Sequence, residues 1–89
     1  MGYSLLIRPS LDEKLQKLVK KNKLHFEIIM KKAEEIVENP QPYKNLRAPL
    51  QYWKRVHIDK HFVLAFSVDE NSKTVTLEDF YHHNKIYQH

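Results

Sequence analysis

Between Ser10 and Val37 the apolar residues recur three and four positions apart, whereas from Tyr52 to Phe80 they alternate with a period of two. A helix gathers residues three, four and seven apart onto one stripe, and a strand sends successive side chains to opposite faces. The change of period therefore predicts a helical stretch followed by a sheet.

In the helical stretch Leu11, Leu15, Leu18 and Val19 form one buried stripe, and Ser10 with Glu13 reads as a capping box that opens the helix. Lys14, Lys17, Lys20 and Lys21 fall on the opposite face, a charge run that solvates a helix as readily as it attracts phosphate. Asn22 and Lys23 interrupt the pattern. Phe26, Ile29, Met30, Ala33, Ile36 and Val37 then define a second amphipathic helix, stopped at Asn39-Pro40 because proline disfavours a helical residue before it. Helices joined so tightly must run antiparallel. Ahead of them, Tyr3 to Arg8 reads as a short strand ended by Pro9. The connection from Asn39 to Gln51, with Pro40, Pro42 and Pro49, is too short for another element and too long for a plain turn, which makes it a candidate functional loop.

Three strands are expected in the second half: Tyr52 to Ile58, Phe62 to Val68 and, after a turn at Asp69 to Ser72, Lys73 to Phe80. Cross-strand partners share a face, so the loop Asp59-Lys60-His61 fixes the first hairpin by parity. It pairs Ile58 with Phe62, Val56 with Leu64 and Lys54 with Phe66, a nearly all-apolar face. Trp53, Arg55, His57, Val63, Ala65 and Ser67 are left on the other, a mixed and partly open working surface. The alternative register would bury Arg55 and His57 among Phe62 and Leu64, and an unpaired cation in an apolar setting is costly. The outcome is one small α+β domain: an N-terminal strand, two antiparallel helices, then an antiparallel sheet meander with the helices on one face.

At 89 residues, with no cysteine and one glycine, the chain offers no thiolate chemistry, no disulfide staple and no glycine-rich phosphate loop for a nucleotide. The cytoplasm is the expected compartment. No apolar run approaches the length that spans a bilayer, so no membrane partner is expected. Fifteen Lys and Arg against eleven Asp and Glu suggest a polyanionic partner.

The densest chemistry lies in Phe80-Tyr81-His82-His83-Asn84-Lys85-Ile86-Tyr87-Gln88-His89. The plain alternative is a polar tail with incidental histidines. Adjacent strand residues point to opposite faces, so at most one of His82 and His83 would meet Arg55 and His57 unless the strand has ended. A metal set drawn from His57, His61, His82 and His83 lacks any recognised ligand spacing. What remains is acid/base chemistry assisted by fixed cations, which suits RNA, whose 2'-hydroxyl is an internal nucleophile beside the phosphate. Histidine carries the proton, Arg and Lys steady the developing charge, and Trp53, Tyr81 or Tyr87 can stack on an unpaired base.

The run Pro42-Tyr43-Lys44-Asn45-Leu46, then Tyr52-Trp53-Lys54-Arg55-Val56-His57-Ile58, the strand Phe62 to Glu70 and the terminal Tyr81-His82-His83 to Ile86-Tyr87 resembles the RelE/ParE superfamily of toxin-antitoxin toxins, RelE-type and YoeB-type members above all. The resemblance implies a ribosome-dependent mRNA endonuclease that needs no metal or other cofactor and is neutralised by a small RelB-like antitoxin, acidic or amphipathic, in a heteromeric complex. It implies a general acid or base at His82, with His83 following where such toxins have tyrosine, a phosphate-proximal tyrosine at Tyr87, and basic residues at Arg55 and His57. Arg47, Trp53, Lys54, His61, Tyr81 and Lys85 would then contact RNA. One departure stands out: the family's third-strand arginine aligns with Val63, so its clamping role would fall to His61 or Arg55. ParE-type members share the fold but inhibit DNA gyrase without cutting RNA, and that alternative stays open, as does a catalytically inactive binding module.

Overall fold

The computed structural model describes residues 2–82. The elements are β1 (Ser4–Ile7), α1 (Pro9–Lys21), α2 (Lys23–Glu38), β2 (Lys54–Ile58), β3 (Phe62–Asp69) and β4 (Thr74–His82). They form an α+β fold in which the antiparallel helix pair covers one face of a four-stranded sheet ordered β1-β4-β3-β2. β2, β3 and β4 make the antiparallel meander expected from the sequence. β1 lies parallel to β4, from Ser4 beside Thr74 to Ile7 beside Leu77, so the sheet is mixed. A parallel neighbour needs a long connection, and the rest of the chain supplies one.

The helix joint is built on one residue. The backbone N–H of Asn22 donates to Leu18 O at 2.7 Å and closes α1, while its side-chain Oδ1 accepts from His25 N at 3.1 Å and opens α2. Such a cap is worth about 1 kcal/mol. The capping box expected at Ser10 and Glu13 does not form. α1 starts at Pro9, with Arg8 at the cap position and no side-chain cap. Proline suits a first helical turn because its missing N–H would have had no intrahelical partner there, and its φ is already helical. Val19, expected in the buried stripe, is 38% exposed at the end of α1.

Leu11 and Leu15 from α1 and Ile29, Ala33 and Ile36 from α2 pack on Ile58, Leu64, Phe66, Val75, Leu77 and Phe80 from the sheet. Each large side chain removed from water contributes about 1.5–3 kcal/mol, which makes this layer the main stabilising contact of the fold. The β2–β3 register is the one read from parity: Ile58 faces Phe62, Val56 faces Leu64 and Lys54 faces Phe66. Asp59 begins the intervening turn at φ 53°, a left-handed conformation that aspartate tolerates better than most side chains. At the β3–β4 turn the Asp69 carboxylate accepts from the backbone N–H groups of Asn71 and Ser72, as an Asx turn requires.

Both ends of β1, the end of β3 and the start of β4 each differ from the sequence expectation by one residue, and two boundaries differ by two. β2 begins at Lys54, leaving Tyr52 and Trp53 in the preceding turn, and β4 runs on through Tyr81 to His82. The β3–β4 ladder also slips at Ala65 and Phe66, which face Asp79 and Leu77 and leave Glu78 as an extra residue. This bulge lets Leu77 and Phe80, three apart, both enter the core, where strict alternation would expose one of them.

Candidate functional site

The last residues of β4, the β2–β3 turn and the first turn of α2 meet at one end of the molecule, and each brings an imidazole. His82 faces Phe62 across the ladder, their rings edge to face at 5.3 Å. The His61 and His82 rings are parallel with centroids 6.0 Å apart. His25 packs edge-on against Phe62 at 5.0 Å, and Phe62 stacks on Phe80 at 5.1 Å. The Nε2 of His25 lies 3.1 Å from Oδ2 of Asp59, and its side chain is only 12% exposed. Three imidazoles and a carboxylate thus surround an aromatic pair. Among the described residues no group of three or more His, Asp or Glu side chains is arranged to hold a metal ion.

Parity places the remaining candidates across the sheet. Arg55 pairs with Ala65 and His57 with Val63 on β3, and Val63 in turn pairs with Tyr81 on β4, a set that faces away from the helices, whereas the carboxylate of Asp79, opposite Ala65, accepts from Lys14 of α1 at 2.6 Å. His57 is exposed and Arg55 half-buried. It is Tyr81 that shares this face with Arg55 and His57, whereas His82 lies on the helix side. The two sets lie on opposite faces of the sheet, and the exposed His61 stands in the turn that joins β2 to β3. Val63 and Ala65, expected on a partly open surface, are fully buried at 1% and 0% exposure. They are small side chains on an inner strand, set between the larger Arg55 and His57 of β2 and Tyr81 of β4.

Lys54, expected to bind RNA, faces Phe66, and its ammonium donates to Tyr43 O at 3.0 Å and to Asn45 Oδ1 at 3.5 Å. It braces the loop before β2. Arg47 is exposed in that loop, and Trp53 is half-buried at its end. His83, Lys85 and Tyr87 lie outside the described residues. His25 and Asp59 were not singled out from the sequence. The only available signal was a histidine placed beside the apolar stripe of α2, which by itself marks a helix residue as readily as a site.

At the far end of the sheet the charges serve a different purpose. The Tyr3 hydroxyl donates to Glu70 at 2.8 Å, the Gln41 amide donates to the same carboxylate, and Lys73 approaches it at 3.3 Å. These donors, Tyr3 first and then Gln41, hold the Glu70 carboxyl below its ordinary range. The hydrogen bond to Glu70 in turn raises the Lys73 ammonium above its ordinary value.

No family model matches the chain. It is 65% identical over 85 residues to an uncharacterised protein of Methanosarcina mazei, covering 96% of this chain and 99% of that one. It is 59% identical over 86 residues to a Methanocaldococcus jannaschii protein whose name assigns it to the RelE toxins (RelE4), covering 97% of this chain and 92% of that one. Its fold matches a chain of the RelBE2 toxin–antitoxin complex of Mycobacterium tuberculosis with a TM-score of 0.76 at 18% identity, covering 92% of this chain and 99% of that one. A mutant of the E. coli toxin RelE in the free state matches with a TM-score of 0.75 at 17% identity, covering 99% and 93%. With 59% identity over nearly its whole length to a protein named as a RelE toxin, and with a fold that solved toxins share, this chain belongs to the RelE superfamily of toxins of toxin–antitoxin systems.

Proposed function

We propose that this toxin is a ribosome-dependent mRNA endonuclease that works by acid/base chemistry of its own side chains. The observation that carries the reading is the His61–His82 pair, two imidazoles with parallel rings 6.0 Å apart at the end of β4. Cleavage through the 2'-hydroxyl needs one group to take its proton and another to protonate the leaving 5'-oxygen, and imidazole does both near neutral pH. His82 serves as one of these groups, acid or base. Tyr87 and His83 are assigned to the same centre from the resemblance. Arg55 and His57, on the outer face of the edge strand β2, would hold the incoming phosphates, with Arg47, Trp53, Tyr81 and Lys85 as further contacts. Lys54 keeps a bracing role. His25, paired with Asp59 and packed on Phe62, is a positioning residue for the His82 ring.

The proposed partners are the ribosome with its mRNA and a cognate RelB-like antitoxin, and the proposed compartment is the cytoplasm, where translation takes place. Support for the antitoxin comes from the solved toxin–antitoxin complexes that share this fold. The second reading is gyrase inhibition, which the buried, uncharged Val63 at the family's arginine position favours.

In vitro translation separates the two. Wild-type toxin should truncate mRNA at codons in the ribosomal A site, and His82→Ala should slow this by roughly 10²-fold or more, the usual scale of an acid/base contribution. Intact mRNA together with inhibited DNA supercoiling would replace the nuclease reading with the gyrase one.

A further inference from the structure

Between Glu38 and Asp59 there is no carboxylate, and four cations, Lys44, Arg47, Lys54 and Arg55, fall in that interval. Fifteen cations and eleven carboxylates make up the chain, so eleven of each remain elsewhere and the entire positive excess of +4 belongs to this one segment. The segment is also preformed. Lys44 and Leu46 run antiparallel to Trp53 and Arg55, with Arg55 N donating to Lys44 O at 2.9 Å, Leu46 N to Trp53 O at 2.8 Å and an isolated bridge between Asn45 and Lys54. The Asn45 side chain donates to Gln51 O at 2.7 Å, Lys54 reaches Tyr43 O, and Leu46 is buried beneath. At the tip Tyr52 is 66% exposed, its ring 5.9 Å from that of Trp53 in an edge-to-face pair.

We propose that this tip is a docking site for single-stranded RNA, in which the Tyr52 ring stacks on an unpaired base and Lys44 and Arg47 hold the phosphates on either side. The proposal rests on the RNA-binding part of the reading above, cleaved or not, and adds a subsite to it. A lone exposed hydrophobic side chain is ordinary, and Leu24 is as exposed as Tyr52. What distinguishes Tyr52 is a π face backed by a second ring, held on a braced loop, in a stretch of chain that carries four cations and no carboxylate. These are the elements with which proteins bind single strands without reading their sequence. Trp53, half-buried, supports the ring that makes the contact.

Trp53 is the only tryptophan, so its fluorescence reports on the site directly. The whole protein is titrated with a 2'-O-methyl oligoribonucleotide of mixed sequence, which cannot be cut through a 2'-hydroxyl. Saturable quenching is expected, weakened roughly tenfold or more by Tyr52→Ala and retained by Tyr52→Phe. Lys44→Ala and Arg47→Ala should each reduce the log–log salt slope by about 0.7, the value for one phosphate on a single strand. Equal affinity of wild type and Tyr52→Ala overturns the proposal whether or not the protein cleaves mRNA, and so does equal affinity for the oligonucleotide in a duplex. If Tyr52→Ala weakens a purified antitoxin but not the oligonucleotide, the tip is a protein contact and the proposal falls. Tyr52-dependent binding with mRNA left intact in translation upholds the proposal and overturns the nuclease reading.

Discussion

The two outer strands of the sheet, β1 and β2, are both edges by topology and are treated in opposite ways. β2 is braced by the chain that precedes it: Lys44 to Leu46 pair with Trp53 to Arg55, and the side chains gathered there are cations and aromatic rings. β1 has β4 on one side, presents Leu6 to solvent at 58% exposure, and is tied at its foot by the Tyr3, Gln41, Glu70 and Lys73 network. An edge strand must keep its unpaired backbone groups from recruiting another chain. In β2 a bracing segment does this, and it also fixes the geometry of the surface proposed to meet RNA. In β1 four residues are all that remain to pair, and brevity limits the exposed ladder. The braced edge is thus also the edge proposed to meet RNA.

The largest effect is expected where the β2 side of the core is cut. Ile58→Ala removes a fully buried side chain and should destabilise the protein by about 2–5 kcal/mol in urea unfolding. A loss below about 1 kcal/mol would mean that β2 is not anchored in the common core. Next in size, Arg55→Glu should weaken association with ribosomes by about tenfold and flatten its salt dependence, since a phosphate contact is lost and a repulsive charge gained. An unchanged slope in ribosome sedimentation at two salt concentrations would remove the outer face of β2 from the RNA path.

A smaller effect is expected at the foot of β1, and its sign follows from the two shifted groups. Glu70 is held below its ordinary range, so its contribution is present at neutral pH and is lost as pH falls through the folded value. Lys73 is held above its ordinary value, so its contribution is complete below 10.5 and is lost as pH rises through the folded value. Thermal unfolding measured across pH should therefore show an acid limb that Glu70→Gln makes shallower. An acid limb identical in wild type and Glu70→Gln would show that the network does not couple to folding. Smallest of all, Leu6→Ser on the exposed side of β1 should change stability by no more than about 0.5 kcal/mol by the same unfolding measurement. A larger loss would reveal that β1 carries core weight its exposure denies.

Much of this architecture was legible because it is local. The stop at Asn39-Pro40 and the stripe through Ile29, Ala33 and Ile36 depend on neighbours within a turn or two. The β2–β3 register follows from the length of one turn and the cost of burying Arg55. What escaped the sequence reading has long-range causes. The start of α1 went to Pro9 rather than Ser10 because β1 delivers the chain through Arg8, whose N–H bonds Leu77 O. The partnership of β1 with β4 joins residues some seventy positions apart, with no local signal. In the candidate site, Arg55, His57 and His82 were each visible as chemistry-bearing residues, but which of them share a face depended on how far β4 extends and where its ladder slips.

The helical periodicity, the hairpin register and the accumulation of cations between Glu38 and Asp59 can be read from the chain alone, because periodicity, turn length and charge are properties of neighbouring residues. Only the tertiary structure decided that His25, Asp59, His61 and His82 surround one aromatic pair while Arg55, His57 and Tyr81 lie across the sheet from them. The physical reason is that a strand's alternation assigns each side chain a face only once its register against distant partners is set, and the packing of Leu77 and Phe80 into a common core fixes β4 with the bulge that core requires.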